Sequence, residues 1–141
     1  MTANEFSFSV RVYYEDTDAG GVVYHSNYLR FMERARTEWL RALGCEQDVL
    51  MREQGLVFAV RQVNIDYLKP ARLNELLDVN VELLQQKRAS ARFRQSIHNS
   101  AGDLLCEASV VIVCVNATEL KPCAIPAGLF STSTHPETTS C

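Results

Sequence analysis

No run in this sequence reaches the roughly 20 consecutive apolar residues that a membrane-spanning helix needs. Positive charge is not in excess either: 14 Lys and Arg face 17 Asp and Glu, a net charge of −3. That balance gives no electrostatic footprint for nucleic acid. The five cysteines, at 45, 106, 114, 123 and 141, are odd in number and form no C-x-x-C pair. They read as reduced thiols in the cytoplasm, not as a disulfide framework or a zinc ribbon. The opening MTANEFSFSV has neither a basic start nor an apolar core, so it is not read as a secretory signal. Also missing are G-x-S-x-G, H-E-x-x-H, a P-loop and a dinucleotide fingerprint. Their absence removes the usual serine hydrolase, zinc protease and nucleotide readings.

What is there is an ordinary globular composition: 141 residues, 47% hydrophobic and 22% charged. That suits one domain with a proper core. Phe6, Phe8, Val10 and Val12 alternate with Ser7, Ser9 and Arg11, which predicts a strand running on to Tyr14. An acidic turn with two glycines follows, Glu15 to Gly21. Ser26 is then placed as an N-cap, with His25 just outside the helix. Tyr28, Phe31, Met32, Ala35, Trp39, Ala42 and Leu43 fall at helical spacing, and Gly44 is the stop. The helix should be about 17 residues long, near 25 Å. A shorter helical piece is expected from Glu46 to Gln54, closed by Gly55.

After Gly55 the apolar period is two. Strands are expected around Val63 to Tyr67, Leu77 to Leu83, Ala89 to Ile97 and Leu104 to Val115. The last becomes apolar on both faces from Val110 onward, as a covered central strand would. Short connections make sequential strands neighbours. The expected class is α+β, a curved antiparallel sheet against one long helix, spanning residues 1–130. Residues 131–141, STSTHPETTSC, are polar and expected to be disordered.

The chemistry concentrates where the acidic turn meets the long helix. A carboxylate there lies beside backbone N–H groups that have no partner inside the helix, and such donors suit an oxyanion. Asp16 and Asp18 open a D-x-D pattern, but an EF-hand loop also asks for Asp or Asn at its fifth position and Glu at its twelfth. Gly20 and Asn27 stand there instead, so no metal is expected. Taken singly, Asp18 is a common turn-former, His25 a capping residue and Tyr14 a packed strand residue. Together, Asp18, His25 and Tyr14 converge on one helix N-terminus and form the candidate catalytic group.

The stretch YYEDTDAGGVVYHSNYLRFMERAR, Tyr13 to Arg36, resembles the signature of the hotdog-fold acyl-CoA thioesterases. It is most similar to the small bacterial subfamily encoded with the Tol–Pal cell-envelope genes (YbgC type). Asp66 to Arg72 and Val113 to Val115 also resemble this family. The 4-hydroxybenzoyl-CoA thioesterases share the Asp and its loop but typically carry Tyr at the position of His25, so the histidine favours the Tol–Pal type. The resemblance implies a hotdog sheet wrapped around the long helix and hydrolysis of acyl-CoA thioesters, with acyl carrier protein as a further carrier. It places the catalytic carboxylate at Asp18, the active-site histidine at His25 and the tyrosine at Tyr14, and it calls for no metal or organic cofactor. It also implies a homodimer or homotetramer in the cytoplasm, some members being linked to the inner membrane and phospholipid synthesis. Rival classes on the same fold are a non-catalytic acyl-CoA or acyl carrier protein binding module and a dehydratase of enoyl thioesters.

Overall fold

In a computed structural model, which describes residues 5–130, a five-stranded antiparallel sheet curves around one long helix. The strands are β1 (Glu5–Arg11), β2 (Leu56–Tyr67), β3 (Leu76–Gln86), β4 (Ser90–His98) and β5 (Leu104–Asn116). The helices are α1 (His25–Ala42) and α2 (Gln47–Gln54), with a 3₁₀ turn at Tyr14–Asp16. Residues 131–141, expected to form a polar tail, lie outside the described residues.

The strand order is β1-β3-β4-β5-β2. Sequential neighbours were expected throughout, and β3, β4 and β5 do pair in that way. β2 does not: it pairs with β5, with Tyr67 opposite Cys106 and Phe58 opposite Cys114. The reason lies in β5, whose Val110, Val111 and Ile112 are all buried and which needs a strand on each side. The link from β2 to β3 must therefore cross the end of the sheet. Leu68 and Lys69 donate to the Leu105 carbonyl at 2.8 and 3.0 Å, and Asn74 donates to the Val12 carbonyl at 3.0 Å. That crossover passes beneath the start of α1.

α1 buries Tyr28, Phe31, Met32, Ala35 and Trp39, as helical spacing predicts, and Leu40 in place of the expected Ala42 and Leu43, which are exposed and half-buried at the helix end. It packs mainly over β1 and β3. Each large side chain in the stripe contributes about 1.5–3 kcal/mol by leaving water. Gly44, at φ +93°, turns the chain out of the helix in a conformation that suits glycine. The start of α1 differs from the expectation. Its first residue is His25 and its N-cap is Tyr24, in extended backbone, with no side-chain cap hydrogen bond. Ser26 does not cap because the entry is fixed one residue earlier: the Tyr24 N–H donates to the Asp16 carbonyl at 3.0 Å. β1 likewise ends at Arg11, short of the tyrosine pair. Cys106 and Cys114 are buried core residues, as expected. Beyond β5 the chain folds back and seats Phe130 against Trp39, with ring centroids 5.2 Å apart.

Candidate active site

Residues Thr17 to Val23 form a miniature hairpin closed by a β-bridge between those two residues. Inside it, the Asp18 N–H donates to the Val22 carbonyl at 2.9 Å, and the Gly21 N–H donates to the Asp18 carbonyl at 3.1 Å. The Gly20 N–H donates to Asp18 Oδ1 at 2.8 Å, the turn that a short carboxylate makes with its own backbone. Gly21 sits at φ +80°, where a side chain is strained. A Cβ on Gly20 would stand 3.3 Å from Asp18 Oδ1. Asp18 is exposed, and among the described residues its second oxygen has no hydrogen-bond partner.

Two devices fix this hairpin to the fold. The crossover from β2 supplies the first: Val22 bridges Arg72, and the Val23 N–H donates to the Ala71 carbonyl at 2.9 Å. The second is Asp16, only 5% exposed. Its Oδ2 accepts the Tyr13 N–H and its Oδ1 accepts the Asn27 side-chain amide, both at 2.8 Å. Of the two aspartates that look alike in sequence, one is thus buried with both oxygens bonded, while the other is exposed with one oxygen bonded.

His25 opens α1 and is exposed. Its ring lies 4.7 Å from the Tyr24 ring and meets Tyr67 edge-on at 6.0 Å. The Tyr67 hydroxyl donates to the His25 carbonyl at 3.1 Å. Tyr28 packs edge-on to Tyr67 at 5.5 Å, and its hydroxyl accepts the Ala71 N–H at 2.9 Å. Burial raises the pKa of both Tyr28 and Tyr67, so both stay protonated phenols. The helix start itself is open. The Asn27 N–H donates to the Tyr24 carbonyl at 2.8 Å, whereas the His25 and Ser26 N–H groups have no acceptor among the described residues.

The structure therefore keeps His25 at the helix N-terminus and Asp18 in the hairpin leading to it. It does not bring Tyr14 to them. Tyr14 is on the 3₁₀ turn with 82% of its surface exposed, and no hydrogen bond links it to Asp18 among the described residues. It is not a packed strand residue. Asp16, Asn27, Tyr28 and Tyr67 were not singled out by sequence reasoning. All four had one signal: Asp16, Asn27 and Tyr28 lie in the family-like stretch from Tyr13 to Arg36, and Tyr67 in that from Asp66 to Arg72. Among the described residues no group of three or more His, Cys, Asp or Glu is arranged to hold a metal ion.

The model of the thioesterase-like superfamily matches residues 12–131. The chain belongs to this superfamily. It is 49% identical over 126 residues to the acyl-CoA thioesterase YbgC of Haemophilus influenzae, covering 89% of this chain and 92% of that protein. It is 46% identical over 131 residues to the acyl-CoA thioester hydrolase YbgC of Escherichia coli O157:H7, covering 93% and 97% respectively. Among solved structures, a probable thioesterase from Bartonella henselae superposes with a TM-score of 0.82 at 36% identity, covering 86% of this chain and 99% of that one. The curved sheet around one helix is the hotdog fold. No described helix is long and apolar enough to cross a membrane.

Proposed function

We propose that the protein hydrolyses the thioester bond of acyl-CoA, with acyl carrier protein thioesters as a second substrate class. The observation that carries this is the pairing of the half-free Asp18 carboxylate with an uncapped start of α1. Water adds to the thioester carbonyl, the C–S bond breaks, and the products are a carboxylic acid and the CoA thiol. Charge develops on the carbonyl oxygen during attack. The free N–H groups of His25 and Ser26 stabilise it, an effect of about 3–4 kcal/mol per donor in comparable sites.

Asp18 serves this chemistry by one of two routes. It attacks the carbonyl to give an anhydride, or it takes a proton from the attacking water. Single-turnover hydrolysis in ¹⁸O water separates them, because only the first route leaves the label in Asp18. His25 orients the thioester beside the helix start, its own ring held between Tyr24 and Tyr67.

A thiol-release assay with a short-chain acyl-CoA tests the proposal. Asp18→Asn is expected to keep its melting temperature and lose most turnover. A variant that keeps the wild-type kcat reduces Asp18 to a turn residue. A chain that binds acyl-CoA but releases no thiol is a binding module instead.

The same reading includes a homodimer as the smallest active unit, paired further into a tetramer. β1 and β2 are open edges, each with a row of unpaired backbone groups. The Asp18 hairpin is also open to water on one side. Joining two sheets edge to edge removes one edge per chain and encloses the hairpin. Light scattering coupled to gel filtration checks this, and a fully active species of one 15.9 kDa chain contradicts it.

A further inference from the structure

Three turns beyond His25 on α1, roughly 16 Å along the axis, the buried helix face contains a polar group set among apolar side chains. Arg36 is half-buried there, and its Nη1 donates to Gln95 Oε1 at 2.8 Å. Gln95 is 0% exposed, and its Nε2 donates to the Met32 carbonyl at 3.0 Å. The glutamine is thus committed to holding the guanidinium in place. No carboxylate forms an ion pair with Arg36 among the described residues. Beside it, Trp39 is 2% exposed, and its indole N–H has no acceptor among the described residues. Orphaned buried donors are rare, and each calls for an explanation, a water or a ligand among them.

Both residues line one cavity, with Phe58, Val60, Phe93 and Ile112 as its apolar wall. The polar Thr37 and Gln47 line it too, as does the exposed Glu33, which acts on Arg36 through charge without an ion pair. The cavity has a volume of about 60 Å³. That is several times the space one water needs. An apolar track leads to it from the reaction site. The inward face of β2 runs Tyr67, Ile65, Val63, Val60, Phe58, shown by its pairing with the inward residues of β5. α1 lies mainly over β1 and β3 and leaves this face uncovered, with Tyr67, Val63 and Val60 at 45, 37 and 50% exposure. The track starts where Tyr67 touches His25 and ends in the cavity.

We propose that this track holds the acyl chain of the substrate and that the Arg36–Trp39 cavity receives a carboxylate at the chain's far end. The inference rests on the thioesterase reading of Asp18 and deepens it to a substrate class: long acyl thioesters with a terminal carboxylate. The span corresponds to roughly a dozen carbons, given bonds of about 1.5 Å. A carboxylate accepts from the guanidinium and the indole together, whereas a methyl terminus leaves the indole donor unpaired and the guanidinium with Gln95 alone.

The test compares the CoA monothioester of dodecanedioic acid with dodecanoyl-CoA. The wild type is expected to favour the first by about tenfold or more in kcat/KM, mostly through KM, as a site built to bond a polar group does. Trp39→Phe removes the N–H donor together with one ring of the indole, and should cut that preference several-fold; the plain dodecanoyl chain in the same variant controls for the lost ring. Arg36→Gln should abolish it, and Arg36→Lys should restore part of it. Trp39 is the sole tryptophan, so its emission reports the cavity directly. Free dodecanedioic acid should shift that emission and dodecanoic acid should not. Equal or better use of the plain chain by the wild type overturns the proposal, as does a preference that survives Arg36→Gln. Unchanged emission with the diacid also overturns it, and leaves the cavity to a buried water only. If no thioester is turned over while the diacid still shifts the emission, the thioesterase reading fails and the carboxylate site stands.

Discussion

Replacing Asp16 by Asn tests whether the two aspartates of the turn have separate jobs. The Asp16 carboxylate accepts two hydrogen bonds, from the Tyr13 N–H and the Asn27 amide, both at 2.8 Å. Asparagine is isosteric but has one acceptor, so one of those donors must face the new NH₂. Hydrogen bonds to charged groups contribute about 1.5–3 kcal/mol each, and a buried donor left unpaired costs a further 1–3. Losing one bond and confronting two donors should therefore cost about 3–5 kcal/mol, a large share of the roughly 5–15 kcal/mol total of an ordinary domain. At roughly 3–4 °C per kcal/mol for this size, the melting temperature should fall by about 10–18 °C. Circular dichroism melts and urea titration of Asp16→Asn beside Asp18→Asn provide the measurement. Asp18→Asn should melt with the wild type, because its Oδ1 keeps the Gly20 N–H as partner. An Asp16→Asn chain that melts within a degree or two of wild type refutes the claim that this carboxylate anchors the turn.

Further outcomes follow from the same geometry. His25→Ala should lose less turnover than Asp18→Asn, because the backbone donor survives; equal losses in the thiol-release assay make the imidazole essential. Gly20→Ala should lower kcat with little change in melting temperature, since its new methyl would sit 3.3 Å from Asp18 Oδ1. Gly21→Ala should instead lower stability by about 1 kcal/mol or more, since its φ of +80° strains any side chain; denaturant titration separates the two glycines. Burial pushes the Cys106 thiol up from 9.0 to about 12. Its folded pKa is the higher one, so its contribution is complete below pH 9 and is lost as pH rises toward 12. Cys106→Ala should therefore show a shallower stability loss across that window in pH-dependent urea melts. Deleting residues 131–141 should leave melting temperature and rate unchanged; a drop of several degrees shows that the segment docks.

The elements of the fold were legible because each has its own period. Helical spacing from Tyr28 to Trp39 and alternation in the last three strands survive in the structure, whereas β2 begins at Leu56, ahead of the expected Val63, because a bulge at Val60/Gln62 breaks its alternation. The order of the strands was not legible. Proximity in sequence favours β2 beside β3, and only the two-sided burial of β5 sends β2 to the far edge. In the site, Asp18 and His25 could be named because their neighbours in sequence are also their neighbours in space. Tyr67 reaches His25 from 42 positions away through that unexpected crossover. Asp16 was passed over because a sequence shows two similar aspartates in one turn and not which of them faces inward. Tyr14 was placed on a strand by extending the alternation of β1 past Arg11, where the chain instead tightens into a 3₁₀ turn.

The β2–β3 crossover also sets when the protein becomes competent during its synthesis. The Asp18 hairpin is chemically local, yet its supports at Ala71 and Arg72 lie on a segment that hangs from Leu105. A nascent chain that has not yet exposed β5 offers β2 no neighbour to pair with, and so gives Tyr67 and Ala71 no fixed place. The Asp18 turn is among the first parts to leave the ribosome and among the last to be set. Any ribosome-stalled fragment ending before Leu104 should contain Asp18 and His25 intact and release no thiol.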